Sequence, residues 1–547
     1  MLGLVIATMG CGERNPVARE ELEVLRLVVE TGGETDSSTV ARKIATHLKR
    51  PAQVEPLFPD VDPADDPDGL AEMFLVIVPE GKAVSANGWD MAYELRDATG
   101  FARVEPDQER TLEEVAARMK STCFVDDSSA APEEKTWSLD EMNVRAAWEL
   151  EPAQGGRRRG EGIRICHPDT GWAPHRDLDM SRLDLATATN LLAGGTPDGQ
   201  DPLDYSGPFL NPGHGTGTAS VIVSGEAEGL IVGVAPAATL VPIRTAKSVV
   251  QLFDSDLARA VRYAVQHDCD VISMSLGGRA FFGLSAAVRN AKRNNLIVLA
   301  AAGNCVGFVV APAAYDDCVA VAATNANHRP WKGSSRGKAV EISAPGEHVW
   351  VAHRQSRTDE SDVEVRAGEG TSFAVAGTAG VAALWLAHHD LGRFATGYGD
   401  GFYLQDAFVQ LLQATAQVPQ DWDSLRGKYG AGIVDAKALL ERALPGPDDP
   451  ARARRALGEA TALQVLADMT DRSVATLAPQ VARLFHTDAA GLDSVLAIHG
   501  AELIELALRD PQSMERTLDE EPSAPTARAA RKALSSRASK RLRNLMQ

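Results

Sequence analysis

Six cysteines in 547 residues are too few for a scaffold built on disulfides, and none of them falls at a CxxC or other metal-ligand spacing. Reduced, buried thiols are therefore expected, with Cys305 and Cys318 near enough in sequence to pair in an oxidising compartment. No apolar run approaches the roughly 18 residues that a membrane-spanning helix needs. A basic excess is missing too: 55 Lys and Arg stand against 75 Asp and Glu, a formal charge of −20. That balance excludes a general binder of nucleic acid or of anionic membrane. The opening MLGLVIATMG lacks the basic stretch of a signal peptide, so it reads as a buried strand, and the expected location is cytoplasmic, with secreted or periplasmic as the alternative. With 44% hydrophobic and 24% charged residues, the chain reads as a folded globular protein of about three or four domains.

Residues 1–54 read as a helical segment, with amphipathic helices over 16–30 and 38–50 separated by TGGETDSS. Residues 55–69 are rich in Pro and Asp and read as a solvated loop. The glycine an EF-hand loop requires is absent from it, so no metal is assigned there. From 70 to 126 the pattern is a small α+β unit: apolar runs at 74–78 and 101–104, helices over 89–98 and 111–120, and a short run at 122–125. Residues 126–134 are acidic and rich in small residues, as an exposed linker is. Between 137 and 444, short apolar runs (163–166, 271–274, 297–301, 319–323) alternate with helical stretches such as 256–266 and 284–294. That alternation is the mark of an α/β domain whose parallel sheet is covered on both faces. The linker PGPDDP follows, and 451–547 is helical throughout.

Three sites in the α/β stretch carry residues that act together in acyl transfer: Asp169 in IRICHPDTGW, His214 in NPGHGTGTASVIVSG and Ser372 in AGEGTSFAVAGTAGVAALWL. A serine hydroxyl needs an imidazole as base to attack a carbonyl, and a carboxylate to fix the tautomer of that imidazole and stabilise it once protonated. A serine at a helix N-terminus also gains amide donors for the oxyanion. Singly, each residue has a plainer reading: Asp169 as a turn cap, His214 as a loop histidine, Ser372 as an N-cap.

The order Asp, His, Ser in DTG, HGT and GTS contexts resembles the subtilisin-like serine peptidases, over residues 137–444. The resemblance implies a doubly wound, mostly parallel α/β sheet of the subtilisin type. The 70–126 unit would be a pro-domain-like α+β domain, and 451–547 a helical C-terminal module. It implies a serine endopeptidase acting through an acyl-enzyme, restrained by its N-terminal domain and self-processed at 126–134. Asn304, in AAAGN, would supply the side-chain amide of the oxyanion hole. Ser275, Leu276 and Gly277 would line the cleft as an edge strand for substrate backbone, with Ala301, Ala302 and Gly303 as the opposite wall. The substrate is then a polypeptide, no cofactor is required, and calcium, which many relatives carry, has no assigned residues here.

The chain departs from the family pattern at Phe373, Ala376 and Gly377 in the serine motif, at Gly217 in the histidine motif and at Cys305. Residues 180–211 read as a surface excursion, and the apolar loop from Asn304 to Pro312 suggests an apolar side chain before the scissile bond. His175, His388 and His389 read as packing or surface residues, and Arg157, Arg158 and Arg159 as a solvated turn. The basic stretch 527–547 lacks the aromatics of a single-strand binder, so the C-terminal module reads as a surface for a protein partner. The competing function is a catalytically silent scaffold that clamps peptides and is regulated by its helical ends.

Overall fold

The computed structural model describes residues 24–79, 88–107, 131–192, 196–205, 210–225, 230–249, 254–279, 281–354, 356, 364–391, 404–445, 462–520 and 524–547. The expected helix 111–120, the run 122–125 and most of the 126–134 linker lie outside these residues.

The first unit begins earlier than its sequence suggests. Val24–Glu30, placed above in a helix, is strand β1. With β2 (Gln53–Pro56), β3 (Met73–Pro79) and β4 (Arg103–Pro106) it forms an antiparallel sheet in the order β2-β3-β1-β4. In VLRLVVE, residues Leu25, Leu27 and Val29 face α1 (Ser37–Leu48) and α2 (Gly88–Thr99), while Val28 faces the other side. A period of two over seven residues, buried on both faces, was read as a period of 3.6. The helical reading of 1–54 is thus corrected for β1 and β2; it holds for α1, which Asp36 caps by accepting from the amides of Ser38 and Thr39.

The Asp-rich stretch 55–69 is exposed over 62–65, as expected, but its two ends are anchored. Leu57 and Phe58 are buried, Asp60 pairs with Arg262 (2.5 Å) and Asp68 with Arg293 (2.9 Å). Both arginines belong to the peptidase domain, on α4 (Asp254–Gln266) and α5 (Phe282–Arg293). Glu55, Asp60 and Asp68 thus find arginine partners about 200 residues away.

The central sheet has seven parallel strands in the order β11-β10-β9-β8-β5-β7-β6: β5 (Arg164–Asp169), β6 (Thr189–Asn190), β7 (Thr239–Arg244), β8 (Val271–Met274), β9 (Ile297–Ala301), β10 (Val319–Thr324) and β11 (Val340–Pro345). Strands β8, β9 and β10 are buried along their whole length, as strands covered by helices on both faces must be. One face carries α4 and α5. The other carries α3 (His214–Val223) and α6 (Thr371–His388), the latter preceded by the hairpin β12 (Val349–His353) and β13 (Glu364–Gly368). All 18 residues of α6 are buried; it is the one described helix long and apolar enough to cross a membrane, and here it is the core helix. The 180–211 excursion supplies β6, an edge of the sheet.

Strand β5 comes first in the sheet's sequence and lies inside it, with β7 on one side and β8 on the other. The winding direction reverses there, and crevices of open α/β sheets form at such reversals, outside the carboxyl ends of the strands.

Two cysteine expectations are corrected. Cys166 on β5 and Cys269, two residues before β8, form a disulfide with Cα atoms 5.9 Å apart, because those strands are neighbours although 103 residues separate the pair. Cys305 is disulfide-bonded, but not to Cys318, which is a free thiol that burial makes hard to ionise.

The C-terminal module packs six helices: α7 (Ala462–Met469), α8 (Val474–Leu484), α9 (Ala489–Arg509), α10 (Pro511–Asp519), α11 (Pro525–Arg537) and α12 (Lys540–Met546). It contacts both the peptidase domain, where Lys428 pairs with Asp471 (2.7 Å), and the first unit. Trp89 donates to Glu505 (2.9 Å), Tyr93 to Glu502 (2.9 Å), and Arg541 pairs with Asp97. Arg279, just beyond SMSLGG, ties all three parts together through Asp254 (2.8 Å), Glu505 (3.3 Å) and the carbonyl of Pro106. Within the basic tail, the Lys540 amide donates to Asp90 (2.8 Å) and Arg541 pairs with Asp97, both in the first unit.

Candidate active site

Asp169 ends β5, and α3 starts at His214 directly across from it. The approach is close: a Cβ at position 215 would lie 2.1 Å from the carbonyl oxygen of Gly171 and 3.2 Å from Asp169 Cβ, so only glycine serves there. His214 Nδ1 lies 2.7 Å from Asp169 Oδ1, which also accepts the Thr170 amide at 2.7 Å. The hydroxyl of Thr170 accepts the Gly215 amide (3.0 Å), so this one residue holds both the acid and the start of the histidine helix. Asp169 is wholly buried. Burial pushes its pKa up, but His214, then His167 and the Thr170 amide, outweigh that and leave it below the ordinary aspartate value. The carboxylate is therefore ionised at neutral pH beside the imidazole.

Ser372 is the second residue of α6 and 4% exposed. Its hydroxyl donates to the carbonyl of Ser275 (3.2 Å), and the hydroxyl of Ser275 returns a bond to the carbonyl of Ser372 (3.0 Å). The ring of the adjacent Phe373 lies 6.4 Å from that of His214, centroid to centroid. Asn304 follows β9. Its Oδ1 accepts both the amide (2.9 Å) and the hydroxyl (2.8 Å) of Thr371, which leaves Nδ2 as the donating end, next to Gly370. The Gly303 amide donates back to the Thr371 hydroxyl at 3.2 Å.

The predicted cleft walls face each other across one segment. Gly278 and Ala311 form a bridge (Gly278 N to Ala311 O, 2.8 Å), and the Val310 amide donates to Ala302 (3.0 Å). Leu276, Ala301 and Ala302 are buried, and the Gly277 amide is taken by the carbonyl of Val249 at 3.2 Å. His175 bonds the carbonyl of Glu364 and His388 is buried, so neither faces the site. Among the described residues no group of three or more His, Cys, Asp or Glu is placed to hold a metal ion.

Sequence reasoning passed over Thr170, Thr218, Thr371 and His167. Thr371 adjoins the serine and Thr218 lies one helical turn after His214, so both were readable from spacing. His167 carried a weaker signal: two residues before Asp169 on a strand, it must share that residue's face.

The sequence profile of the subtilase family, peptidase S8, matches residues 160–432. Subtilisin DY of Bacillus licheniformis is 31% identical over 224 residues, covering 38% of this chain and 78% of that protein. Thermitase of Thermoactinomyces vulgaris is 32% identical over 256 residues, 46% of this chain and 81% of that protein. The major intracellular serine protease of Bacillus subtilis (strain 168) is 32% identical over 206 residues, 35% of this chain and 60% of that protein. With the acid and the imidazole bonded at the reversal of a seven-stranded parallel sheet, and with the serine on the adjoining core helix, kinship and architecture agree: the chain belongs to the subtilase family of serine endopeptidases.

Proposed function

We propose that Asp169, His214 and Ser372 form the catalytic triad and that the peptide bond is cleaved through an acyl-enzyme on Ser372. The bond of 2.7 Å between Asp169 and His214 carries this reading. It holds the imidazole with its proton on Nδ1, so Nε2 is free to accept. Rotation about χ1 turns the Ser372 hydroxyl from the Ser275 carbonyl to Nε2. Its proton passes to His214 as Oγ bonds the substrate carbonyl carbon, and His214 gives that proton to the leaving amine as the C–N bond breaks. Water repeats the cycle: His214 takes its proton as the water oxygen bonds the acyl carbon, and gives that proton to Ser372 Oγ as the acyl–Oγ bond breaks and the carboxylic acid product is released. The oxyanion of each intermediate is met by Asn304 Nδ2 and by the Ser372 amide, one of the first-turn N–H groups without a partner inside the helix. A fluorophosphonate probe is expected to label the wild type at Ser372 and to leave Ser372→Ala unlabelled; a wild type that resists labelling after its N-terminal unit has been removed counts against the triad.

The pocket for the side chain before the scissile bond is small rather than broadly apolar. Ala301, Ala302 and Gly303 form one wall and Ser275, Leu276 and Gly277 the other. A Cβ built on Gly277 would lie 2.7 Å from Val310 Cγ2, and one on Gly303 3.1 Å from the same methyl. Val310 therefore fills the gap between the walls, and Ala or Ser is favoured there over Phe. Val310→Gly should raise kcat/KM for a Phe substrate at least about tenfold while that for Ala falls. Unchanged cleavage preferences in a peptide library would remove Val310 from the pocket.

The N-terminal unit restrains the enzyme, and the C-terminal module holds that unit in place. Val28, Leu57, Phe58, Leu70, Met73 and Leu75 share one apolar cluster with α4 and α5. Behind them Glu105 and Glu502 are pushed up to about 7, in both cases chiefly by burial. A carboxyl whose folded pKa exceeds its unfolded one stabilises the contact fully below the unfolded value, about 4.5, and loses that contribution as pH rises through about 7. Protection factors of the α2 amides, which take out the base-catalysed rise of intrinsic exchange with pH, should thus be larger at pH 5.5 than at pH 8.5, and Glu502→Gln, neutral at both, should reduce that difference. An equal pH response in that variant would show that Glu502 does not govern the contact.

A further inference from the structure

We infer that His167 is a positioning residue for the acid of the triad, acting on Asp169 through the hydroxyl of Thr218. The inference rests on the triad reading above. His167 and Asp169 leave β5 on the same face, which α3 covers. The imidazole is 2% exposed, and its Nε2 lies 2.9 Å from Thr218 Oγ1. Thr218 Oγ1 is 3.2 Å from Asp169 Oδ2, whereas His167 Nε2 is 3.7 Å from that oxygen, too far for a direct hydrogen bond.

Thr218 has a single hydroxyl proton and three protein acceptors within reach: Asp169 Oδ2, the carbonyl of His214 (3.1 Å) and the carbonyl of Gly215 (3.3 Å). What occupies its lone pairs helps decide where the proton goes. A neutral His167 with its proton on Nε2 donates to Thr218 and leaves the hydroxyl proton for the carboxylate. With the other tautomer, Nε2 would compete with Asp169 for that proton. The titratable groups that face His167 are Asp169 on its own strand and His214 on α3. Burial holds its pKa below the ordinary histidine value against the pull of Asp169, so the ring is neutral, and in the tautomer the proposal assigns, with the proton on Nε2, it donates to Thr218. The carboxylate is then bonded at both oxygens: Oδ1 by Thr170 and His214, Oδ2 by Thr218. A carboxylate fixed at both ends cannot turn away from the imidazole, and each hydrogen bond it accepts makes the Asp–His pair less avid for protons.

His167→Leu, which keeps bulk without a donor, should lower kcat about three- to tenfold with KM unchanged and move the acid limb of kcat/KM to higher pH by about half a unit. His167→Gln, whose amide reaches a similar point, should recover most of both. Thr218→Val should reproduce the loss, and adding His167→Leu to it should cost nothing more, because both act on one bond. Wild-type kcat and pH profile in His167→Leu overturn the role, as do losses that multiply in the double variant. Should His167→Leu fail to fold, the isosteric Thr218→Val decides: wild-type behaviour there is equally fatal. Fluorophosphonate labelling of the wild type, run alongside, separates failure of the triad itself from failure of this support.

Discussion

Ser372→Ala is expected to lower kcat by about a millionfold and Asp169→Asn by about a thousand- to ten-thousandfold, both with little change in KM, if the proposed triad operates. The serine variant loses the atom that bonds the acyl carbon. The asparagine variant keeps every atom position but loses the charge that stabilises the imidazolium. Its amide has two orientations. With oxygen at the Oδ1 position it still accepts the Thr170 amide and the Nδ1 proton of His214, but without charge. With nitrogen there it confronts the Thr170 N–H and forces the proton of His214 onto Nε2, where the imidazole can no longer act as base. Thr170 favours the first orientation, so the loss reports mainly the missing charge. The double variant should be scarcely worse than Ser372→Ala, because the residues act as one device. Steady-state kinetics on a peptide anilide measure all three, and an Asp169→Asn enzyme within about tenfold of wild type would remove Asp169 from the triad.

Asn304→Ala is expected to lower kcat about a hundred- to a thousandfold and to leave KM nearly alone, the size of loss that follows removal of one oxyanion-hole donor in subtilisin. The amide is worth this much because its direction is set in advance. Two donors from Thr371 pin Oδ1, so Nδ2 needs no reorientation when the oxyanion forms. Thr371→Val removes only the hydroxyl and keeps the backbone donor, so a smaller loss of about tenfold is expected. A rise in KM with unchanged kcat in Asn304→Ala would instead mark a contact made equally to bound substrate and transition state.

Both predictions were legible early because their residues sit in short local patterns. DTG, HGT and GTS announce turns and helix starts where glycine admits close approach, and AAAGN ends an apolar strand. The alternation of buried runs with helices likewise announced the parallel sheet. Where sequence reasoning erred, the deciding contact was distant. In VLRLVVE the seven residues suit either period, and only pairing with β3 and β4 makes them a strand. Within 55–69, Asp60 and Asp68 are held by Arg262 and Arg293, some 200 residues on, while Asp62 and Asp65 stay exposed as their composition suggests.

By itself the sequence determined the fold class and named the side chains proposed to do the chemistry, because reactive residue types and hydrophobic periods are local properties. Tertiary structure alone decided which groups serve those side chains. The cysteines that bond are 103 residues apart, Arg279 meets Glu505 from the far end of the chain, and Thr218 stands between His167 and Asp169. Hydrogen bonds and ion pairs need donor and acceptor within about 3 Å, and separation along the chain carries no information about that distance until packing has closed the loop between them.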